Sequence, residues 1–376
     1  MNKKVVFLTG TRADFGKMNP LMEKIENSDN FKCYVFVTGM HTLSKYGSTY
    51  KEVEKKGYSN IYKYINQSNE TKMDKILSNT ILGFSNYINE IKPDMIVVHG
   101  DRLEALAGAI VGAFNNILVA HVEGGEVSGT IDESIRHSIT KLSHFHFVAN
   151  EKAKKRVIQL GEKDENIFII GSPDIDIMVS NDLPSLIDVK KRYDIDFNKY
   201  SIFIYHPVTT KISSLKKNIN EVVNALIESK KNYVVIHPNN DEGAEIIYKE
   251  IKRLERYNNF RLYPSIRFKY FLTLLKNASF IIGNSSAGIR EAGVYGLPCI
   301  NVGDRQNNRK KSKGVIDVNN SKNEILKSIS KAENMSLKST YHYGNGNSSK
   351  KFFDIMCEKT IWENSCQKIF VDIDNL

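Results

Sequence analysis

Short runs of β-branched and aromatic residues alternate along this chain with longer amphipathic stretches. In the first half the runs "KKVVFLTG", "FKCYVFVTG", "DMIVVHG", "ILVAHVEGG", "FHFVAN" and "NIFIIGSP" have the length and bounding residues of buried strands. Such alternation predicts βαβ units, a parallel sheet with helices on both faces. After about residue 180 the pattern starts again with "YSIFIYHP", "NYVVIHPNN", "FRLYPS", "SFIIGNSS" and "LPCINVG". The fold class is therefore α/β, with two Rossmann-like doubly wound domains in tandem. The break falls near "GSPDIDIMVSNDLPS", which gives a first domain at residues 1–178, a second at 179–350 and a C-terminal helical segment at 351–376 folding back on the first. No low-complexity linker separates the domains, so two lobes are expected to face each other across a cleft.

Composition narrows the class. A length of 376 residues exceeds one ordinary core, and 41% hydrophobic with 26% charged residues suits a soluble globular protein. There is no apolar run of about 18 residues and no signal-peptide pattern, which places the protein in the cytoplasm. The net charge of +10 is spread along helices such as "SLKKNINEVVNALIESKKN" and is not clustered with aromatics. That excludes nucleic acid as the expected partner and leaves a basic surface suited to a polyanionic small molecule. Cys33, Cys299, Cys357 and Cys366 show no CxxC spacing and no histidine cluster, so neither zinc nor a disulfide framework is expected.

Nearly every predicted strand ends in Gly, Pro or a small polar residue, and in open α/β sheets ligands bind outside those carboxyl ends. The loops are the candidate chemistry. "GTRADFGK" has five residues between its glycines and Met18 after the lysine, so it is no P-loop. It reads as a strand-to-helix turn placing Arg12 where a guanidinium can clamp phosphate, or as a plain surface arginine. In "HGDRLEALAGAIVGA" Asp101 fits an ordinary helix cap as well as a catalytic carboxylate, and Glu104 reads as a solvated helix residue.

"HVEGGEVSGTIDESIRHSITK" concentrates four acids, Arg136 and His137 after a buried strand. Thr130 and Glu133 form a capping box, and Asp132 sits in the first helical turn, where a carboxylate is favoured. Neither accounts for Glu123, which follows an apolar strand and precedes two glycines. Arg136 fits an i,i+4 pair with Asp132 or a substrate contact, and His137 a half-buried imidazole. In "IGNSSAGIREAGVYG" the residues Ser285, Ser286 and Gly288 would offer hydroxyls and N–H groups to an anion, with Glu291 a turn further on to hold sugar hydroxyls; an ordinary Ser cap is the plainer reading. His206 and His237 end strands of one sheet and face the expected cleft. No GxGxxG fingerprint is present, so no dinucleotide cofactor is expected, and no metal site is apparent.

The ordered set "GTRADFGK", "HGDRLEAL", "HVEGGE…DESIRHSITKLSH", "IGSP", "HP" and "GNSSAGIRE" resembles the hydrolysing UDP-N-acetylglucosamine 2-epimerases of bacterial sialic-acid synthesis, over essentially the whole chain. The non-hydrolysing relatives carry a Gly-His-Arg type of second-half histidine loop; here it is "YHPVTT". The resemblance implies the GT-B architecture, with UDP held mainly by the second domain, and a homodimer. It implies that Asp101, Glu123 and Asp132 are the catalytic carboxylates and that His206 is a catalytic histidine of the cleft. It also implies substrate contacts from Arg12 at the pyrophosphate, from the turn of Ser285, Ser286, Gly288 and Glu291, from Arg136 and His237, and from Phe271 stacking on uracil. The activity implied is conversion of UDP-N-acetylglucosamine and water into N-acetylmannosamine and UDP, a supply for sialic acid and capsule polysaccharide. A relative acting on UDP-diacetylbacillosamine, a GT-B glycosyltransferase and a nucleotide-sugar sensor are the competing readings.

Overall fold

The computed structural model describes residues 2–68, 72–128, 131–239, 241–307, 309 and 311–372. Among them, strands β1 (Lys3–Thr9), β2 (Phe31–Val37), β3 (Ile61–Lys63), β4 (Met95–His99), β5 (Leu118–Val122), β6 (Phe145–Val148) and β7 (Ile167–Ile169) form one sheet in the order β3-β2-β1-β4-β5-β6-β7. Strands β8 (Ser201–Ile204), β9 (Tyr233–Ile236), β10 (Phe260–Tyr263), β11 (Ile281–Gly283), β12 (Cys299–Val302) and β13 (Val315–Val318) form a second, in the order β10-β9-β8-β11-β12-β13. All neighbours in both sheets run parallel. In each, the order reverses after the first strand of the series, which is the doubly wound topology.

Strand pleating explains why both faces need helices. In β1, Val5 and Phe7 point into a core with Met18, Leu21, Met22, Phe352 and Met356, while Val6 and Leu8 point into another with Phe84, Ile88, Ala105 and Ala109. A strand buried on both faces reads as a continuous apolar run, and eleven such runs match strands. The two strands without a matching run, β3 and β13, each form one edge of their sheet, with β7 and β10 at the opposite edges. Both are short and largely half-exposed or exposed, so they lack the apolar run that marks a central strand.

The chain divides into two compact units. One comprises Met1–Glu126, Asp132–Ser180 and His342–Leu376, and the other Val127–Ile131 and Asn181–Tyr341. In the first unit the Ser348–Met356 helix is fixed at its start by Asp176, whose carboxylate accepts from the Ser348 and Ser349 N–H groups at 2.8 and 2.7 Å. The core of the second unit joins Phe203, Val235, Ile282 and Ile300 of its sheet to Leu215, Ile219 and Val222 of the Ile212–Ser229 helix and Ile325 and Ile329 of the Lys322–Glu333 helix.

Candidate active site

In the first unit the loops leaving β1, β4 and β5 carry most of the charged residues singled out by the sequence. The Gly100 N–H donates to Val122 O at 2.9 Å, so Asp101 and Glu123 leave adjacent strands side by side. Asp101 is not a cap: the N-cap of the Leu103–Phe114 helix is Arg102. The Asp101 carboxylate is instead ion-paired with Arg136, whose other amino group donates to Glu126 O at 3.1 Å. The Arg136 side chain is only 2% exposed. Arg136 thus has a supporting place beneath the loop, tying the Ile131–Leu142 helix to Asp101. Asp132 and Glu133 occupy the first turn of that helix. Thr130, the expected capping partner, lies outside the described residues, and Glu133 approaches His137 at 3.8 Å.

Glu123 is buried and holds a left-handed φ of 66°, a conformation that non-glycine residues keep only where the surroundings enforce it. Its N–H donates to Phe147 O at 2.8 Å and its Oε1 accepts from the Ser172 hydroxyl. Its Oε2 lies 3.1 Å from Nε2 of His99, and the other ring nitrogen of His99 lies 3.3 Å from Asp14 Oδ1. Burial alone would depress the His99 pKa, but the charges of Glu123 and Asp14 more than offset it and push it up to about 9. By contrast His121, which contacts Gly100 O at 2.8 Å and Thr140 Oγ1 at 3.1 Å, is pushed down to about 3 by burial.

Arg12 opens the Arg12–Glu26 helix behind a Thr11 cap, and its guanidinium is paired with Glu52 at 2.9 Å. Glu104 is not solvated, as its helical position suggested, but 1% exposed. A Cβ on Gly10 would stand 2.8 Å from its Cδ, and one on Gly39 2.5 Å from its Oε1, so this carboxylate fills the space between the β1 and β2 loops.

In the second unit, the Asn284 side chain bridges two strand ends: its Oδ1 accepts from the His206 N–H at 2.7 Å and its Nδ2 donates to His206 O at 2.8 Å. The His206 ring is set by the Asn239 N–H, which donates to Nδ1 at 3.2 Å. His237 packs edge-on against Tyr248 with ring centroids 5.1 Å apart. Ser285 is the N-cap of the Ser286–Ile289 turn, accepting from the Ala287 N–H. The Gly288 N–H donates to Ser285 O at 3.2 Å, and a Cβ there would meet Cys299 Sγ at 2.5 Å. Gly288 is therefore a close-packing position. Phe271 is 9% exposed. Glu291 begins the next helical turn, 3% exposed.

Arg12, Asp101 and Glu123 thus follow the carboxyl ends of β1, β4 and β5, Asp132 lies in the first turn of the helix that Arg136 ties to Asp101, and His206, Ser285, Ser286 and Glu291 follow strand ends of the second unit. His99, Ser172 and Asn284 escaped the sequence reading, and Glu104 was placed in solvent by it. His99 ends a strand just as His206 and His237 do, so the same signal pointed to it.

Residues 23–357 match the family described as UDP-N-acetylglucosamine 2-epimerase. The chain is 46% identical over 376 residues to the UDP-N-acetylglucosamine 2-epimerase of Neisseria meningitidis serogroup B, covering 99% of this chain and 100% of that protein. It is 35% identical over 366 residues to the UDP-N,N'-diacetylbacillosamine 2-epimerase (hydrolyzing) of Legionella pneumophila, covering 96% and 97%. In fold it is similar to a crystal structure of a Neisseria meningitidis UDP-GlcNAc 2-epimerase bound to UDP-GlcNAc, with a TM-score of 0.78 at 20% identity, covering 94% and 99%. The chain belongs to the UDP-N-acetylglucosamine 2-epimerase family.

Proposed function

We propose that this protein is a hydrolysing UDP-N-acetylglucosamine 2-epimerase, releasing N-acetylmannosamine and UDP. The observation that carries this is the 46% identity along the whole chain to an enzyme named for that sugar nucleotide. The strand-end carboxylates support it. The hydrogen on carbon 2 of the sugar is not acidic, since no carbonyl adjoins it, so simple deprotonation is not available. Elimination avoids the difficulty: the bond from carbon 1 to the UDP oxygen breaks with oxocarbenium character, a carboxylate takes the carbon-2 proton, and 2-acetamidoglucal forms. Water then adds, its hydroxyl to carbon 1 and a proton to carbon 2 with the opposite facial outcome.

In this reading Asp101, Glu123 and Asp132 handle protons and stabilise the developing cation. Arg12, Ser285, Ser286, Glu291 and His237 take the UDP, and His206 acts with the carboxylates as a catalytic residue. The product supplies sialic-acid and capsule synthesis in the cytoplasm. No helix among the described residues is long and apolar enough to cross a membrane. A homodimer belongs to the same proposal, on the strength of the family resemblance alone.

The Legionella relative favours a second substrate, UDP-N,N'-diacetylbacillosamine. Proton NMR of the purified protein with each sugar nucleotide separates the two. Free N-acetylmannosamine from UDP-N-acetylglucosamine is the expected product; turnover of the diacetylbacillosamine nucleotide alone would replace the first reading with the second.

A further inference from the structure

Three segments of the first unit meet at His99. Its ring ends β4, with a side chain 9% exposed. On one side stands Asp14, from the first turn of the Arg12–Glu26 helix, itself anchored because its Oδ2 accepts from the Gly10 N–H at 2.9 Å. On the other stands Glu123, immediately after β5, whose remaining oxygen takes the Ser172 hydroxyl. Further along, Lys17 of the same helix pairs with Asp174 at 3.0 Å, so the helix carrying Asp14 is also tied to the segment carrying Ser172. An imidazole with a carboxylate oxygen within 3.3 Å of each ring nitrogen is matched to its environment when both nitrogens carry a proton. Neither contact is aligned as a hydrogen bond, so it is the charge of two carboxylates at ion-pair distance that favours the doubly protonated ring.

We propose that His99 is a positioning residue, an imidazolium bridging Asp14 and Glu123 that holds the Glu123 carboxylate ionised and fixed in direction, so that Glu123 serves the reaction as a proton acceptor. The proposal rests on the reading of Glu123 as one of the proton-handling carboxylates. Charge is consistent with it: burial opposes protonation of the ring, and Glu123 and then Asp14 override it, leaving a ring that titrates at about 9. The other titratable rings facing this group are His121 on β5 and His41 beside Asp14, each pushed down by burial, to about 3 and about 4, and so neutral. The cation therefore belongs to His99. In the elimination, Glu123 receives the proton from carbon 2 while that C–H electron pair forms the carbon 1–carbon 2 double bond and the UDP oxygen leaves with the electrons of its bond to carbon 1. His99 keeps its proton throughout, and the proton later delivered to carbon 2 comes from another acid.

Two measurements on the full chain test this. Nitrogen-15 NMR of the unliganded protein should show both His99 ring nitrogens protonated at pH 7.5, with titration only above pH 8. A neutral His99 ring at pH 7.5 would overturn the proposal whatever the enzyme's substrate. In steady-state kinetics with UDP-N-acetylglucosamine, His99→Gln should lower kcat at least tenfold, leave KM within a few-fold and move the acidic limb of the pH profile to higher pH, because Glu123 loses its cationic neighbour. A lower kcat with an unchanged pH profile would reduce His99 to a structural residue. Asp14→Asn is the fallback where His99→Gln does not fold: the His99 ring should then titrate at lower pH than in the parent, and an unmoved midpoint counts against the bridge. If no sugar nucleotide is turned over while the ring remains doubly protonated, the functional reading fails and the bridge stands.

Discussion

Arg136, buried on the Ile131–Leu142 helix, is ion-paired with Asp101 on the loop after β4, two residues separated by 35 positions in sequence. The pair positions the acidic loop from below. Replacing Arg136 by Met removes one partner of a largely buried ion pair and also leaves Glu126 O without that donor. The expected cost is about 3 kcal/mol, at the low end for such pairs because Asp101 is 29% exposed and can be rehydrated. Urea unfolding should show this loss, and turnover should fall with it. Arg136→Met with parental stability would mean that the loop is held by other contacts.

Gly288 gives a packing test with a built-in rescue. A methyl group there would stand 2.5 Å from Cys299 Sγ but 3.7 Å from its Cβ. Gly288→Ala should therefore lose about 1–3 kcal/mol through overpacking. Adding Cys299→Ala removes the clashing sulfur and should restore much of that loss. If the double variant is no more stable than Gly288→Ala alone, the close contact does not explain the glycine.

The stability of the fold should peak near pH 6.5 and fall on both sides. His41 and His121 are pushed down by burial, to about 4 and about 3. Below pH 6.5 the unfolded chain protonates these rings while the folded chain does not, so their contribution, complete above 6.5, is lost as pH falls toward 3. Glu162 acts at lower pH. Burial raises its pKa, but His146, Lys141 and Lys368 outweigh that and bring it to about 2, so its contribution is present above about 4.5 and lost as pH falls toward 2. His99 works in the opposite sense: raised to about 9, its contribution is complete below 6.5 and disappears as pH rises through 9. Thermal melts between pH 4 and pH 10 check this, and His99→Gln should flatten the alkaline side only.

The fold was legible because a strand buried on both faces must be apolar at every position, as in "VVFL" and "MIVV". β3 and β13 escaped because an edge strand needs no such run. The site was legible only in part. A carboxylate after an apolar strand was conspicuous, so Glu123 stood out, but its contacts to Ser172 and His99 span 49 and 24 positions in sequence and no local pattern encodes them. Asp101 was ambiguous because a helix cap and a catalytic carboxylate use the same residue type at the same place; the Arg102 N-cap and the tertiary contact with Arg136 remove the first.

The mechanism itself is tested by the origin of the atoms in the product. If elimination precedes hydration, loss and return of the carbon-2 proton are separate events, and the solvent supplies both the returned hydrogen and the oxygen on carbon 1. Turnover of UDP-N-acetylglucosamine in deuterium oxide should then give N-acetylmannosamine with one deuterium at carbon 2. In heavy-oxygen water the label should enter the sugar and be absent from UDP. Because the free sugar exchanges its anomeric oxygen slowly with water, the informative oxygen measurement is unlabelled UDP at early times. Asp101→Asn, Glu123→Gln and Asp132→Asn should each lower the rate of deuterium incorporation by orders of magnitude while UDP affinity stays within a few-fold. Retention of the original hydrogen at carbon 2, or oxygen label in UDP from attack at phosphorus, would exclude the glycal route and the proton-handling roles of these three acids with it.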